Sequence, residues 1–178
     1  MKKTILTFGL ISGAVSALMM VATMPFAHKI GFNKSLVIGY TTIVLSYLLV
    51  YFGIRSYRDN VGNGQITFLK AFGIGIAITL ISCICYVVTW EIIYFNFMPD
   101  FMDQYTANII EKLKASGASA AAIQAQIEQL KRYKDPLFNA AMTFIEPFPV
   151  GLVITLVSAA VLRRKSKPQP AQSPLPAS

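Results

Sequence analysis

EPFPVGLVITLVSAAVLRRKSK, residues 146–167, decides how the rest of the chain is read. A polar, proline-broken entry (Glu146, Pro147, Pro149) leads into an unbroken apolar run from Val150 to Leu162. Arg163, Arg164, Lys165 and Lys167 close it. A long apolar segment stopped by clustered positive charge reads as a transmembrane helix whose end lies in the cytoplasm. The whole span is placed at about 138–162.

Composition extends that reading to the full chain. Of 178 residues, 54% are hydrophobic and 13% charged, where soluble domains carry about 25% charged residues. Mean hydropathy is +0.55. So little charge cannot cover the apolar surface, so lipid must. A net charge of +8 would point to nucleic acid in a soluble protein. Here no basic stripe is interleaved with exposed aromatics, so nucleic acid is set aside as a partner. The excess belongs to flanking charges that orient helices and meet anionic headgroups.

Three further spans precede the deciding stretch, at about 4–24, 35–54 and 68–98. The first follows Met1-Lys2-Lys3 and competes with a signal peptide, for which Phe26-Ala27 is a weak cleavage candidate. Pro25 sits where a small residue is wanted, and about 20 apolar residues match a span rather than a leader, so a retained helix is expected. The loop 27–34 holds the one histidine, His28, and a formal glycosylation sequon at Asn33. In the second span Tyr47, Tyr51 and Phe52 read as an interfacial aromatic belt before Arg55 and Arg58. Residues 55–65, RSYRDNVGNGQ, read as a turn. They lack the Gly-Lys-Ser/Thr end of a phosphate-binding loop. Cys83 and Cys85 point to opposite sides of an apolar helix, so neither a disulfide nor a two-cysteine metal site is expected.

Residues 100–135 change character. Phe101, Tyr105, Ile109 and Leu113 fall at helical spacing, as do Ile123, Ile127 and Leu130. Ser116-Gly117 marks a stop, Ser119 an N-cap and Pro136 an end. Two amphipathic helices form a hairpin, packed on each other or lying on the membrane surface, and each is too polar to span. Residues 168–178 are a proline-rich tail expected to be disordered. Positive charges near span ends number more on the side of Lys2, Lys3, Arg55, Arg58, Lys70, Arg163, Arg164, Lys165 and Lys167. Both termini are therefore expected in the cytoplasm and the hairpin outside.

Two patterns carry the candidate sites. GIAITLISC (75–83) and GLVITLVSA (151–159) both place Gly, Thr, Ser and a small residue at 0, +4, +7 and +8, one helical face. Gly75, Thr79 and Ser82 thus mirror Gly151, Thr155 and Ser158, and the first span offers Gly9 and Gly13 with Ser16 and Ala17. Small residues permit close backbone approach in lipid, so these faces are expected to form a helix-packing seam. The alternative is coincidence within a restricted alphabet. The second pattern is a pair of carboxylates, Glu91 and Glu146. At about 1.5 Å per residue from Leu162, Glu146 stands about 24 Å up a core about 30 Å thick. Glu91 lies at similar depth by its distance from Lys70. Together they form a candidate outer-leaflet polar site that shares a proton, holds a cation, or pairs with His28, Lys29 or Lys34 of the neighbouring loop. Against this, each carboxylate can simply snorkel or cap a broken helix. The faces inward of them (Ile84, Leu80, Ala77 and Gly73; Val150, Val153 and Val157) offer no further titratable group.

FGIRSYRDNVGNGQITFLKAFGIG (52–75), PDF (99–101) and EPFPVGLVITLVSA (146–159) together resemble the small bacterial membrane proteins grouped as domain of unknown function 4199. The resemblance runs from about Met1 to Lys165. It implies a four-helix integral protein of a bacterial inner membrane and brings no activity or site residues with it.

The expectation is an all-α polytopic membrane protein, a four-helix transmembrane bundle with an extracytoplasmic amphipathic helical hairpin. The expected role is a non-enzymatic scaffold or accessory subunit of an envelope complex. It needs no cofactor or metal; its partners would be the lipid bilayer and either a second copy or an envelope protein. The alternative is a small transporter or conduit for ions or protons using Glu91 and Glu146. A membrane enzyme is a third reading for which no HExxH or Ser-His-Asp set is present.

Overall fold

The computed structural model describes residues 1–24 and 32–164, without the side chains of Phe32, Asn33 and Leu36. His28, Lys29, the cleavage candidate at 26–27, Lys165, Lys167 and the proline-rich tail lie outside the described residues. Among the described residues the α-helices follow in order: α1 (Lys2–Thr23), α2 (Phe32–Asn60), α3 (Phe68–Asn96), α4 (Phe101–Ala115), α5 (Ala120–Lys131), α6 (Pro136–Ile145) and α7 (Phe148–Leu162), with a 3-10 turn at Arg132–Lys134 between α5 and α6. Among the described residues four stretches are long and apolar enough to cross a membrane: Lys2–Thr23, Val37–Asn60, Phe68–Asn96 and Pro136–Leu162, the last comprising α6 and α7. The chain is a multi-pass protein embedded in lipid. Its exposed Leu6, Leu10, Leu18, Val37, Leu45, Val88 and Val161 face the bilayer.

α2 and α3 lie together, and α1 and α7 each pack across both of them. The contacts set the directions. A side chain at Gly9 would meet Ile81 and one at Gly13 would meet Cys85, so α1 runs parallel to α3. Gly53 faces Phe8, so α2 runs back. α7 runs against α3, and its end is clasped to the start of α3. The Ile66 N–H donates to the Arg164 carbonyl at 3.1 Å and the Arg164 N–H to the Ile66 carbonyl at 2.9 Å. Lys2, Lys3, Arg55, Arg58, Lys70, Arg163 and Arg164 are thereby brought to one end of the packed helices, and α4 and α5 lie at the other.

Two local readings are corrected. Residues 55–60 belong to α2 rather than to a turn. Asp59 pairs with Arg58 at 2.7 Å and Arg55 at 3.6 Å, the helix runs to Asn60, and the turn that follows places Asn63 and Gly64 at positive φ. With about 43 Å of helix at 1.5 Å per residue, α2 outruns the hydrocarbon and Tyr47 falls at mid-depth. It is not in an interfacial belt: it is 2% exposed and bonded to the Cys83 thiol at 3.0 Å. The fourth span divides at its proline-broken entry. Pro147 and Pro149 carry no N–H, so the carbonyls of Thr143 and Ile145 lose their donors and the helix divides into α6 and α7.

The hairpin helices have local causes. Ser119 caps α5 by accepting from the Ala122 N–H, and Asp135 caps α6 by accepting from the Phe138 N–H, with Pro136 at the first helical position. Gly117, at φ +75°, ends α4, and the Ala118 N–H returns to the Leu113 carbonyl. The apolar side of the hairpin is used: Met102 and Leu130 are buried with Tyr94, and Phe101 meets the Trp90 ring edge-on at 5.4 Å.

Between the long helices the contacts are made by small and hydroxylated side chains. Ser12 donates to the Ser46 carbonyl at 3.0 Å and accepts from Ser82 at 3.0 Å. Ser16 donates to Ser46 at 2.8 Å. Thr79 and Thr155 meet at 3.2 Å, flanked by Gly75 against Thr155 and Gly151 against Thr79. Each interhelical bond in lipid is worth about 0.6 kcal/mol, so several together matter while one does not. Thr79→Val or Thr155→Val alone orphans a buried hydroxyl and is expected to cost about 1 kcal/mol. The double variant is expected to be closer to wild type than the sum of the two. Denaturant titration of the four proteins in one detergent checks this; additive losses would contradict it.

Candidate functional site

The fourth span carries a polar face at its hairpin end. Asn139, Thr143 and Glu146 lie at i, i+4 and i+7, one side of α6. Asn139 is 1% exposed and fully engaged. Its amide oxygen accepts from the Trp90 indole N–H at 2.9 Å and the Thr143 hydroxyl at 3.2 Å, and its amide nitrogen donates to the Tyr133 carbonyl at 3.0 Å. One turn below Trp90 on α3, Tyr86 turns its hydroxyl to the Glu146 carboxyl. Tyr40 on α2 and Tyr133 lie within electrostatic reach of the same carboxyl. Burial pushes the Tyr133 phenol, outside the span, above its ordinary value, and Tyr105 and Glu146 add to the shift.

Glu146 is half-buried, and it stands where the backbone ladder is interrupted. Pro147 behind it is fully buried, and Phe144 stacks on Phe148 at 5.4 Å across the break. Below the break its own helical stripe turns outward: Val153 and Val157 face lipid. Beside Tyr86 a cavity of about 50 Å³ opens between α1, α2 and α3. Ser16, Thr23, Ser35 and Thr42 give it hydroxyls, and Met19, Met20 and Met24 give it thioethers.

Glu91 has a different setting. Leu80 and Ile84, on its stripe of α3, are 38% and 57% exposed, so that stripe looks out into lipid. Its Oε1 is buried without a hydrogen-bond partner, as is Asn108 Oδ1 on α4. Its charge acts on Tyr94, whereas that of Glu146 acts on Tyr86, Tyr40 and Tyr133. On α3, Glu91 lies about 140° around the helix from Tyr86. His28 lies outside the described residues. Gly9, Gly13, Gly75, Thr79, Ser82, Gly151, Thr155 and Ser158 are all buried, with Ser12, Ser16, Cys83 and Ala159. Among the described residues no group of three or more His, Cys, Asp or Glu is placed to hold a metal ion.

The family described as Protein of unknown function (DUF4199) matches residues 7–164. The chain belongs to that family. DUF4199 coverage takes in most of the first span, the other three, the hairpin and the clasp at Arg164, so the face from Asn139 to Glu146 and its partners on α3 are part of the family's domain. No curated protein matches, and no solved structure does. In this DUF4199 chain, reading the sequence alone missed Asn139, Tyr86 and Trp90 as one polar interface. The available signal was Asn139 itself, an amide seven residues before Glu146 within an apolar run.

Proposed function

We propose that the chain is a non-enzymatic scaffold or accessory subunit of an envelope complex in a bacterial inner membrane, with both termini in the cytoplasm and the hairpin outside. One observation supports the role most. Ser12, Ser16, Ser46, Ser82, Thr79, Thr155, Trp90 and Asn139 are paired with one another from helix to helix, which is a way of fixing geometry rather than of passing a solute. The threading rests on the basic residues gathered at the clasp end. At the other end the hairpin's charges are interleaved, with Lys131 on Glu128 at 2.7 Å and Lys134 near Asp103 at 3.3 Å. They surround an open groove of Ala125, Glu128, Gln129, Lys131, Arg132 and Phe138. The partner is a second copy or another envelope protein. Purification from native membranes in mild detergent is expected to yield a complex of fixed stoichiometry, dispersed by Lys131→Glu with Arg132→Glu. A lone monomer from wild-type membranes would contradict the scaffold role.

A second reading, an ion or proton conduit using Glu91 and Glu146, is favoured by the carboxyl beside Tyr86 and its hydroxyl-lined cavity. Flux into vesicles carrying the pure protein, absent in Glu91→Gln with Glu146→Gln, is the result that would put it first.

A further inference from the structure

We propose that the break between α6 and α7 binds a small monovalent cation of the sodium type, with the Glu146 carboxylate as its charged ligand and the Thr143 carbonyl and Tyr86 hydroxyl oxygens beside it. Three observations converge. Pro147 leaves the Thr143 carbonyl without its i+4 donor, and both residues are buried on the side that faces α3. A charged carboxylate inside a membrane is costly without a partner, and among the described residues no lysine or arginine forms an ion pair with Glu146. The oxygens around it are neutral: the Tyr86 phenol, the Tyr40 and Tyr133 phenols farther off, and the Thr143 hydroxyl, whose proton is given to Asn139. A hard cation takes such oxygen ligands. One carboxylate among neutral oxygens balances a single positive charge; a divalent ion would leave a net charge in the hydrocarbon. Broken helices whose freed carbonyls hold sodium are a known solution to this problem in membrane proteins. Glu91 takes no part, since it lies on another side of α3.

This inference deepens the reading of Glu146 as an ion site but does not require the ion to cross. Binding without flux would uphold the site and defeat the conduit. The test is thermal unfolding of the full chain in detergent at pH 8, with sodium chloride titrated against choline chloride at constant ionic strength. The expected result is a saturable rise in Tm of about 5 °C at roughly a hundredfold excess over Kd, which choline does not produce. Glu91→Gln keeps the rise. Glu146→Gln loses it while remaining folded, because a neutral amide needs no counter-charge. Tyr86→Phe retains a rise shifted to several-fold higher sodium. Three outcomes overturn the proposal: no sodium-specific rise in wild type, as when a proton or a cation from residues 25–31 neutralises the carboxylate; an equal rise in Glu146→Gln; or a loss of the rise in Glu91→Gln.

Discussion

Gly151→Leu is expected to prevent the four apolar helices from packing. The first atom of any side chain there would collide with the Thr79 methyl and lie 3.1 Å from the Tyr47 ring. Neither neighbour can yield. Thr79 is 0% exposed and held to Thr155, and Tyr47 is held to Cys83. Overpacking a filled core costs about 1–3 kcal/mol for a few added methylenes and more where nothing relaxes. A leucine wedged between α3 and α7 while also pressing on α2 belongs in the upper range, about 3 kcal/mol or beyond. Gly73→Ala is the matched control, since nothing lies within 4 Å of the added atom. The comparison is read as the fraction of monodisperse protein after detergent extraction and as the midpoint of denaturant unfolding. A Gly151→Leu protein as stable as Gly73→Ala would mean that α7 does not sit against α3 at this level.

The second large effect is expected at Asn139. Replacing it with leucine keeps the volume but removes partners from three groups at once: the Trp90 indole N–H, the Thr143 hydroxyl and the Tyr133 carbonyl. Each buried polar group left unpaired costs about 1–3 kcal/mol. Thr143 can turn to the carbonyl four residues back, so the net loss is expected to be about 3 kcal/mol rather than the full sum. The chain has one tryptophan, so the same variant has a direct optical signature. Loss of the acceptor at its indole N–H should shift Trp90 emission to the blue in the folded state. An unshifted spectrum with unchanged stability would remove the Trp90–Asn139 bond from the account, and with it the tie between α3 and α6.

How far these features can be read from the sequence depends on the kind of physics behind them. The break at Glu146 is visible because prolines lack a donor wherever they occur. The caps at Ser119 and Asp135 are visible because a side-chain oxygen next to the first turn has one partner within reach. Small residues four apart show which face of a helix admits another backbone. Which backbone comes there is a relation between distant segments: that Thr79 meets Thr155 and that Ser12 joins Ser46 to Ser82 lie in no single helix's periodicity. Tyr47 shows the limit most plainly. Near Arg55 an aromatic residue reads as interfacial, because the length of α2 is not apparent until Arg55 and Asp59 are seen paired one helical turn apart. Glu146 could be singled out as a charge in a span, but its depth and its phenolic neighbour depend on the register of α3 against α6. That register follows from Trp90 on Asn139.

The two backbone bonds between Ile66 and Arg164 have a mechanical corollary. They pin the foot of α7 to the foot of α3, so the last helix cannot slide along its neighbour as a piston would. What remains is a lever: a lower arm fastened at its base, a pivot at Pro147, and a short upper arm, α6, carrying the Asn139 latch. Any signal passed through this protein would therefore arrive as a tilt of that upper arm about Pro147, with the Arg164 end standing still at the base.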